Sequence, residues 1–216
     1  MADIKSRWYT ILVAIFLIGG TLIFMNIEGE PYQPQTMDEL FSAVSNGSYE
    51  TPEAYTYRGY PIISINGLWT TRIQKEDGSV IETRFRFQPN ETLEVQKNGS
   101  LSKDAFNTNL MVISIDPYYP NQSVLGIAGV ELGGNLFKSV NAEIHTACSV
   151  NTTDGTCEGR LIASCNNTIV PTFEFYNEGP TRIELDDKCI QFYGEDLDVI
   201  KAVDRYLYEW YGIIKN

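Results

Sequence analysis

An uncharged apolar run near the N-terminus constrains this chain more than any other feature. Residues 8–27 read WYTILVAIFLIGGTLIFMNI and contain no Asp, Glu, Lys or Arg. Twenty residues of helix rise about 30 Å, which is the thickness of the hydrocarbon core of a bilayer. Because backbone polar groups in lipid must bond to one another, the run is predicted to be a transmembrane helix.

The charges beside this run predict its orientation. Lys5 and Arg7 precede it, whereas two glutamates follow it closely. Since positive residues stay on the cytoplasmic side, residues 1–7 are expected to form a cytoplasmic tail, with the rest of the chain extracytoplasmic. A cleaved signal peptide is the main alternative, but its apolar core is shorter, about 7–15 residues, and ends in small residues. An uncleaved single-pass anchor in the cell membrane is therefore expected.

Six N-x-S/T sites occur in the chain, and all of them follow the apolar run. They are Asn46, Asn90, Asn98, Asn121, Asn151 and Asn166. Such sites accept glycans in exposed segments of translocated chains, so their positions agree with the predicted orientation. A glycoprotein is therefore expected.

The four cysteines, Cys148, Cys157, Cys165 and Cys189, also follow the run. Outside the cytosol an even number of cysteines usually forms disulfides, and three pairings are open. Cys148 with Cys157 is favoured because the segment between them, SVNTTDGT, is rich in turn residues, which leaves Cys165 for Cys189. The gaps of 8, 7 and 23 residues do not fit the C-x₂₋₄-C spacing of zinc sites, so no metal is expected there.

The chain after the anchor is predicted to divide into a spacer and one domain. Residues 28–58 contain prolines and a short helix, whose start is marked by the capping box of Thr36 and Glu39. Residues 59–216 suffice for one domain with a sizeable core. A hairpin of strands 67–74 and 79–87 is expected at its start, with Asp-Gly in the turn.

The order of the later elements predicts the fold class. A buried strand over 110–115, a helix over 123–138 and a strand over 142–147 imply a parallel β-α-β unit. Short strands are expected at 161–164, 172–176, 182–185 and 190–193, the middle two as a hairpin. A helix over 195–211 closes the chain, with Gly212 as its C-cap. The fold class is therefore α/β to α+β, with a mixed sheet.

Composition and motifs argue against several functions. Sixteen Lys and Arg against 28 Asp and Glu give a net charge of −12, which excludes a nucleic-acid partner that needs a basic surface. Neither of the two acidic clusters, 186–187 and 195–198, matches the sequence pattern of a calcium-binding loop. The glycines of 126–134 have helical spacing, which favours close helix packing over phosphate binding. No cofactor is expected.

Two residues are candidates for catalysis. Asp116 ends a buried strand before a loop and a helix, where open α/β sheets place ligand-binding residues. However, Asp-Pro also initiates turns, and this interpretation is favoured. His145 is the only histidine and lies in the middle of a predicted strand, where a structural role is favoured. An enzyme is thus the less favoured class.

Aromatic residues in loops suggest a binding surface as an alternative to a structural role. The tyrosines concerned are Tyr55, Tyr57, Tyr60, Tyr118 and Tyr119. Their flat, amphipathic rings suit a glycan or a protein partner, although loop tyrosines also cover hydrophobic cores.

The segment DDKCIQFYGEDLDVIKAVDRYLYEWYGI, residues 186–213, contains a Cys-Ile strand, a Gly turn and an Ala-x-Asp-Arg helix. In these motifs the chain resembles a group of uncharacterised archaeal single-pass, membrane-anchored surface proteins. The resemblance extends loosely to Ile115-Asp116-Pro117, Val130-Glu131-Leu132 and Ala147-Cys148. It implies an anchored topology and paired cysteines, and it implies no activity.

Together these features predict a single-pass, membrane-anchored extracytoplasmic protein, most simply a non-catalytic binding or structural module of the cell surface or envelope. Two alternatives stay open. One is an exported hydrolase that uses Asp116, and the other is an accessory subunit of a membrane complex.

Overall fold

The computed structural model describes residues 33–215, and the predicted anchor over 8–27 lies outside them. Within the described residues, no helix is both long and apolar enough to cross a membrane. The chain divides into two units, residues 1–40 and 41–216. Helix α1, Met37–Ser45, begins in the first unit, where the Thr36 hydroxyl accepts the backbone N–H of Glu39 at 3.2 Å, one half of the expected capping box.

The second unit contains eleven strands, a 3₁₀ turn and two further helices among its described residues. The smaller sheet consists of β1 (Ala54–Tyr57), β2 (Tyr60–Ile65), β3 (Leu68–Gln74) and β4 (Val80–Phe85), followed by the 3₁₀ turn (Pro89–Thr92). The larger sheet consists of β5 (Gln96–Leu101), β6 (Leu110–Ile115), β7 (Glu143–Cys148), β8 (Leu161–Ile162), β9 (Thr172–Tyr176), β10 (Arg182–Asp187) and β11 (Cys189–Tyr193). The helices are α2 (Gln122–Val140) and α3 (Asp198–Trp210).

The smaller sheet is an antiparallel meander in the order β1-β2-β3-β4. Its β3–β4 hairpin confirms the predicted one, with Gly78 at φ 84° and the Asp77 carboxylate accepting the N–H of Ser79 at 2.8 Å. Only a residue without a Cβ takes that φ at no steric cost, so the Asp-Gly pair sets this turn.

The larger sheet is mixed, in the order β5-β10-β11-β9-β6-β7-β8. Strands β6 and β7 pair in parallel across α2, which confirms the predicted β-α-β unit. Strands β8, β7, β6, β9 and β11 all run in one direction, while β10 and β5 run in the opposite one. The α/β class with a mixed sheet and a C-terminal helix is therefore confirmed.

The expected hairpin between 172–176 and 182–185 is wrong. Strand β11 lies between these two strands, parallel to β9 and antiparallel to β10. The tight turn that forms is instead the one at Asp187, with φ 53°, which joins β10 directly to β11. This order places Phe192 of β11 beside Phe175 of β9, where both rings are buried. Burial of these aromatic rings outweighs the local turn signal at 177–180.

One face of the larger sheet packs against α2 and α3 and forms the core. Leu125, Leu132 and Leu136 of α2 are fully buried, as are Ile200, Val203 and Leu207 of α3. A Cβ at Gly133 would lie 3.1 Å from Cδ1 of Ile113, so this glycine lets α2 approach the sheet closely, as expected. Gly212, at φ 71°, follows the end of α3, which confirms the predicted C-cap.

A buried carboxyl group links α3 to the end of β4. Asp204 is fully buried, and its Oδ2 accepts the backbone N–H groups of Arg86 at 2.8 Å and Phe87 at 2.9 Å. Its Oδ1 has no hydrogen-bond partner within the described residues. Desolvation by burial raises the pKa of Asp204 well above its ordinary value, and the two N–H groups oppose this rise only in part.

Candidate functional site

The face of the larger sheet that points away from α2 and α3 carries polar residues. Side chains alternate between the faces of a strand, so Phe173 and Phe175 enter the core while Glu174 lies on the opposite face. In register with Glu174 are Ser114 on β6 and Gln191 on β11. Ser114 and Glu174 are only 1% and 4% exposed. A row of polar groups therefore crosses three neighbouring strands.

Glu174 is the centre of this row. Its Oε1 accepts the backbone N–H of Cys165 at 2.9 Å, and its Oε2 accepts the hydroxyl of Tyr176 at 2.6 Å. The Gln191 amide donates to the same Oε2 at 3.3 Å and to the Tyr176 oxygen at 3.1 Å. A buried carboxylate is stable when several donors satisfy it, and here three do so. The network fixes the position of the carboxylate.

A cleft of about 180 Å³ opens over this row at the carboxyl ends of β6 and β9. It is lined by Ser114, Asp116, Ser149, Val150, Ser164, Asn166, Glu174, Phe175, Tyr176 and Gln191. The segment 163–167 holds to the sheet through Ser114, whose hydroxyl donates to the Ala163 carbonyl at 2.5 Å, and through the N–H of Cys165. A cleft at the carboxyl ends of parallel strands is where open α/β sheets bind ligands.

Asp116 lies in this cleft, immediately after β6. Its Oδ1 accepts the N–H of Tyr118 at 2.8 Å and its carbonyl accepts the N–H of Tyr119 at 3.2 Å, so it also forms the expected turn. No donor from the described residues reaches its Oδ2. Asp116 therefore forms the expected turn and also lines the cleft.

His145 lies elsewhere. It is opposite Val112 in the parallel β6–β7 pair, four residues before Asp116, which corresponds to roughly 13 Å along the strands. Its side chain is 49% exposed, and Nε2 lies 2.8 Å from the Glu143 carboxylate on the same strand. The two catalytic candidates from the sequence thus do not meet across the cleft.

The cysteines form the two favoured disulfides, Cys148–Cys157 and Cys165–Cys189, with Cα–Cα distances of 6.3 and 5.2 Å. The second joins the segment over the cleft to β11. With Glu174, Cys165 and Cys189 make the one group of three or more metal-ligand residues found in the described part of the chain, their ligand atoms lying within 4.8 Å. Because both sulfurs are oxidised, they offer no thiolate to a metal ion.

Aromatic rings continue the polar row at one end. Tyr176 stacks on Tyr193 with centroids 4.6 Å apart, and Tyr119 meets Tyr176 edge-on at 6.0 Å. Burial first, and then the Glu174 carboxylate, raise the pKa of Tyr176, so its hydroxyl keeps the proton it donates. Of the predicted tyrosine set, Tyr119 belongs to this group, whereas Tyr55 and Tyr57 lie on β1 in the other sheet.

The six candidate glycan sites are all exposed. Asn166 lines the cleft, and the Asn121 side-chain amide donates to Asp196 at 2.6 Å. Asp196 is thus used in a contact between two loops.

Glu174 and Gln191 are the cleft residues that the sequence interpretation missed. Glu174 is the charged residue in TFEFY, where apolar and aromatic neighbours predict burial. A charge inside an aromatic strand was therefore the available signal, because such a charge needs partners.

Compared with models of protein families, with curated proteins and with solved structures, the chain shows no match in any of the three.

Proposed function

We propose that this chain is a single-pass, membrane-anchored protein whose extracytoplasmic domain is a non-catalytic binding module, with the cleft around Glu174 and Asp116 as its ligand site. The observation that carries the proposal is this cleft, a half-open cavity on a rigid sheet whose polar groups are held in place by one another. Preorganised groups of this kind lose little freedom when a ligand binds.

The location rests on three features that agree. The run 8–27 is long enough to cross a bilayer, and the charges beside it favour a cytoplasmic N-terminus. Two disulfides are typical of chains that fold in an oxidising compartment. Six exposed N-x-S/T sites suit a glycosylated surface protein. The resemblance of residues 186–213 to anchored archaeal surface proteins supports the same location.

The cleft favours binding over hydrolysis because the hydroxyl groups of Ser114, Ser164 and Tyr176 donate to other groups of the protein, and no His lines the cleft beside Ser149. A serine nucleophile needs an adjacent base, but the Ser114 hydroxyl donates to a backbone carbonyl. His145, the one histidine of the chain, lies away from the cleft. An exported hydrolase with Asp116 as its base is the second candidate, favoured by the position of this carboxylate in the same cavity as Glu174. An accessory subunit of a membrane complex is the third.

Protease protection tests the topology. In intact cells that carry the full chain with a tag at each end, external protease should remove the C-terminal tag and spare the N-terminal one. A variant with Lys5 and Arg7 changed to Glu, and Glu28 and Glu30 changed to Lys, is the control and should reverse the pattern. A mature chain that begins after residue 27, or a C-terminal tag spared in intact cells, would overturn the proposed anchor.

The hydrolase alternative has its own test. Purified full chain, with both disulfides formed, is assayed against ester, peptide and glycoside substrates. Turnover that Asp116→Asn abolishes, and that Asp186→Asn at the far end of β10 leaves unchanged, would favour hydrolysis over binding. We expect no turnover above that of the Asp116→Asn variant.

A further inference from the structure

We infer that the cleft binds the protonated amine of a small amino alcohol, with Asp116 as its counter-ion. This inference rests on the proposed binding function and specifies its ligand class. The same ammonium chemistry occurs in free amines, in the ethanolamine headgroup of a lipid and in a lysine side chain.

The charge of the cleft is the first support. Asp116 and Glu174 both line it, and no Lys, Arg or His is among its lining residues. Arg182, a strand cation on this face, stacks 3.6 Å above the Tyr193 ring and lies 2.7 Å from the Glu184 carboxylate. A cavity with two carboxylates and no basic side chain repels anions and attracts a cation.

Hydrogen bonding at the segment over the cleft is the second support. The Ser114 hydroxyl donates to the Ala163 carbonyl, and the Ser164 hydroxyl donates to Asn167 Oδ1 at 3.3 Å. A serine whose proton is used in this way offers only the lone pairs of its oxygen. Two of the three serines of the cleft are therefore acceptors toward a ligand.

The sheet side of the cleft is depleted of donors as well. The Tyr176 hydroxyl and the Gln191 amide both donate to Glu174, and Asp116 has no proton to give when ionised. Acceptors thus outnumber donors, which favours a ligand that brings several N–H groups. A primary ammonium brings three, and the Oδ2 of Asp116, which no donor from the described residues reaches, is the charged acceptor for it.

The remaining groups fit a hydroxyl beside the amine. Ser149 lines the cleft, and its hydroxyl can donate and accept; the Asn166 amide can do the same wherever it carries no glycan. A cavity of about 180 Å³ is smaller than the roughly 300–1,000 Å³ typical of pockets for drug-sized ligands. This volume admits a molecule such as ethanolamine or the end of a lysine side chain, but not a drug-sized ligand.

Three probes of nearly equal size separate charge from shape: ethanolamine, ethylene glycol and glycolate. Binding is measured by ligand-observed NMR on the full chain in detergent, produced without glycosylation so that Asn166 is unmodified. We expect binding of ethanolamine and none of the neutral or anionic probe at the same concentration. Equal binding of ethylene glycol, or stronger binding of glycolate, would overturn the inference.

Asp116→Asn removes the charge but keeps an oxygen for the N–H of Tyr118, so the turn persists. It should weaken ethanolamine binding about tenfold, the usual effect of losing one charge-assisted hydrogen bond. Asp186→Asn changes the net charge equally at an exposed site outside the cleft and should change the affinity less than twofold. If both variants bind as the wild type does, the ammonium site is not at Asp116.

Two further probes distinguish the sources of the amine. N-acetyl-lysine amide tests a peptide ligand, and phosphatidylethanolamine vesicles, with phosphatidylcholine vesicles as control, test a lipid headgroup. Each is competed against ethanolamine. If no amine probe binds, but the topology and disulfides are as proposed, the ligand class is overturned and the proposal of an anchored binding module is unaffected. If the topology is reversed, the proposed function is overturned, whether or not the amine probes bind.

Discussion

Replacing Asp204 by Asn should change how the stability of the protein depends on pH. The raised pKa means that the folded state keeps the Asp204 proton over a range of pH in which the unfolded chain has lost it. Folded protein then binds more protons than unfolded protein, so the free energy of unfolding falls as pH rises through this range. The loss is complete once the pH exceeds the folded pKa of Asp204.

The size of the change in the free energy of unfolding follows from the single proton that the folded state binds at Asp204. Between the ordinary aspartate pKa of 3.8 and the raised folded pKa, the wild type should lose up to about 1.4 kcal/mol per pH unit relative to Asp204→Asn. The asparagine oxygen can still accept the N–H groups of Arg86 and Phe87, and its amide occupies the place of the protonated oxygen. At the acid end of the range, the two proteins should therefore agree within about 1 kcal/mol.

Urea unfolding of the full chain in mild detergent, followed by tryptophan fluorescence between pH 4 and 8, measures the difference. Other charges face Asp204, namely Glu131 on α2 and Arg86 after β4, and burial also raises the pKa of Glu131. Both proteins retain Glu131, so only its interaction with the Asp204 charge differs between them. A stability difference that does not change with pH would refute the raised pKa.

Asp204→Ala, which leaves both N–H groups without a partner, should be less stable than Asp204→Asn by about 2–6 kcal/mol.

Two more predictions follow from the disulfides and the glycines. Changing Cys165 and Cys189 to Ser should lower the free energy of unfolding by about 3.4 kcal/mol, and changing Cys148 and Cys157 by about 2.6 kcal/mol, because the sequence separations of 24 and 9 close loops of different length. Urea unfolding checks the order, and a larger cost for the shorter loop would contradict the loop-entropy argument. Gly134→Ala, where a Cβ meets nothing within 4 Å, should stabilise α2 by up to about 1 kcal/mol. Gly133→Ala places its Cβ 3.1 Å from Ile113 and should increase the free energy of unfolding less than Gly134→Ala does, as thermal unfolding would show. Equal increases would mean that Ile113 can shift without destabilising the core.

The elements that the sequence predicted are those whose signals are local. The β3–β4 hairpin depends on the Asp77-Gly78 turn, the β6-α2-β7 unit on an apolar strand beside a helix, and the end of α3 on Gly212. The cysteine pairing also followed from a short, turn-rich segment. In each case, neighbours along the chain decide the conformation.

The order of β9, β11 and β10 could not be predicted in this way. It depends on which strands bury Phe173, Phe175 and Phe192 against the helices, and this is a choice among distant segments. The same holds for the cleft. Asp116 was a candidate because of its place at a strand end, but Glu174 and Gln191 join it only through the register of β9 and β11.

The bond between Cys165 and Cys189 ties the assembly of the cavity to the redox state of its surroundings. Where thiols stay reduced, the segment 163–167, which bears Ser164 and Asn166, is held to the sheet by hydrogen bonds alone. Formation of the disulfide joins this segment covalently to β11, the strand that carries Gln191. The cleft would thus acquire this covalent link only after the chain reaches an oxidising compartment, where the disulfide can form.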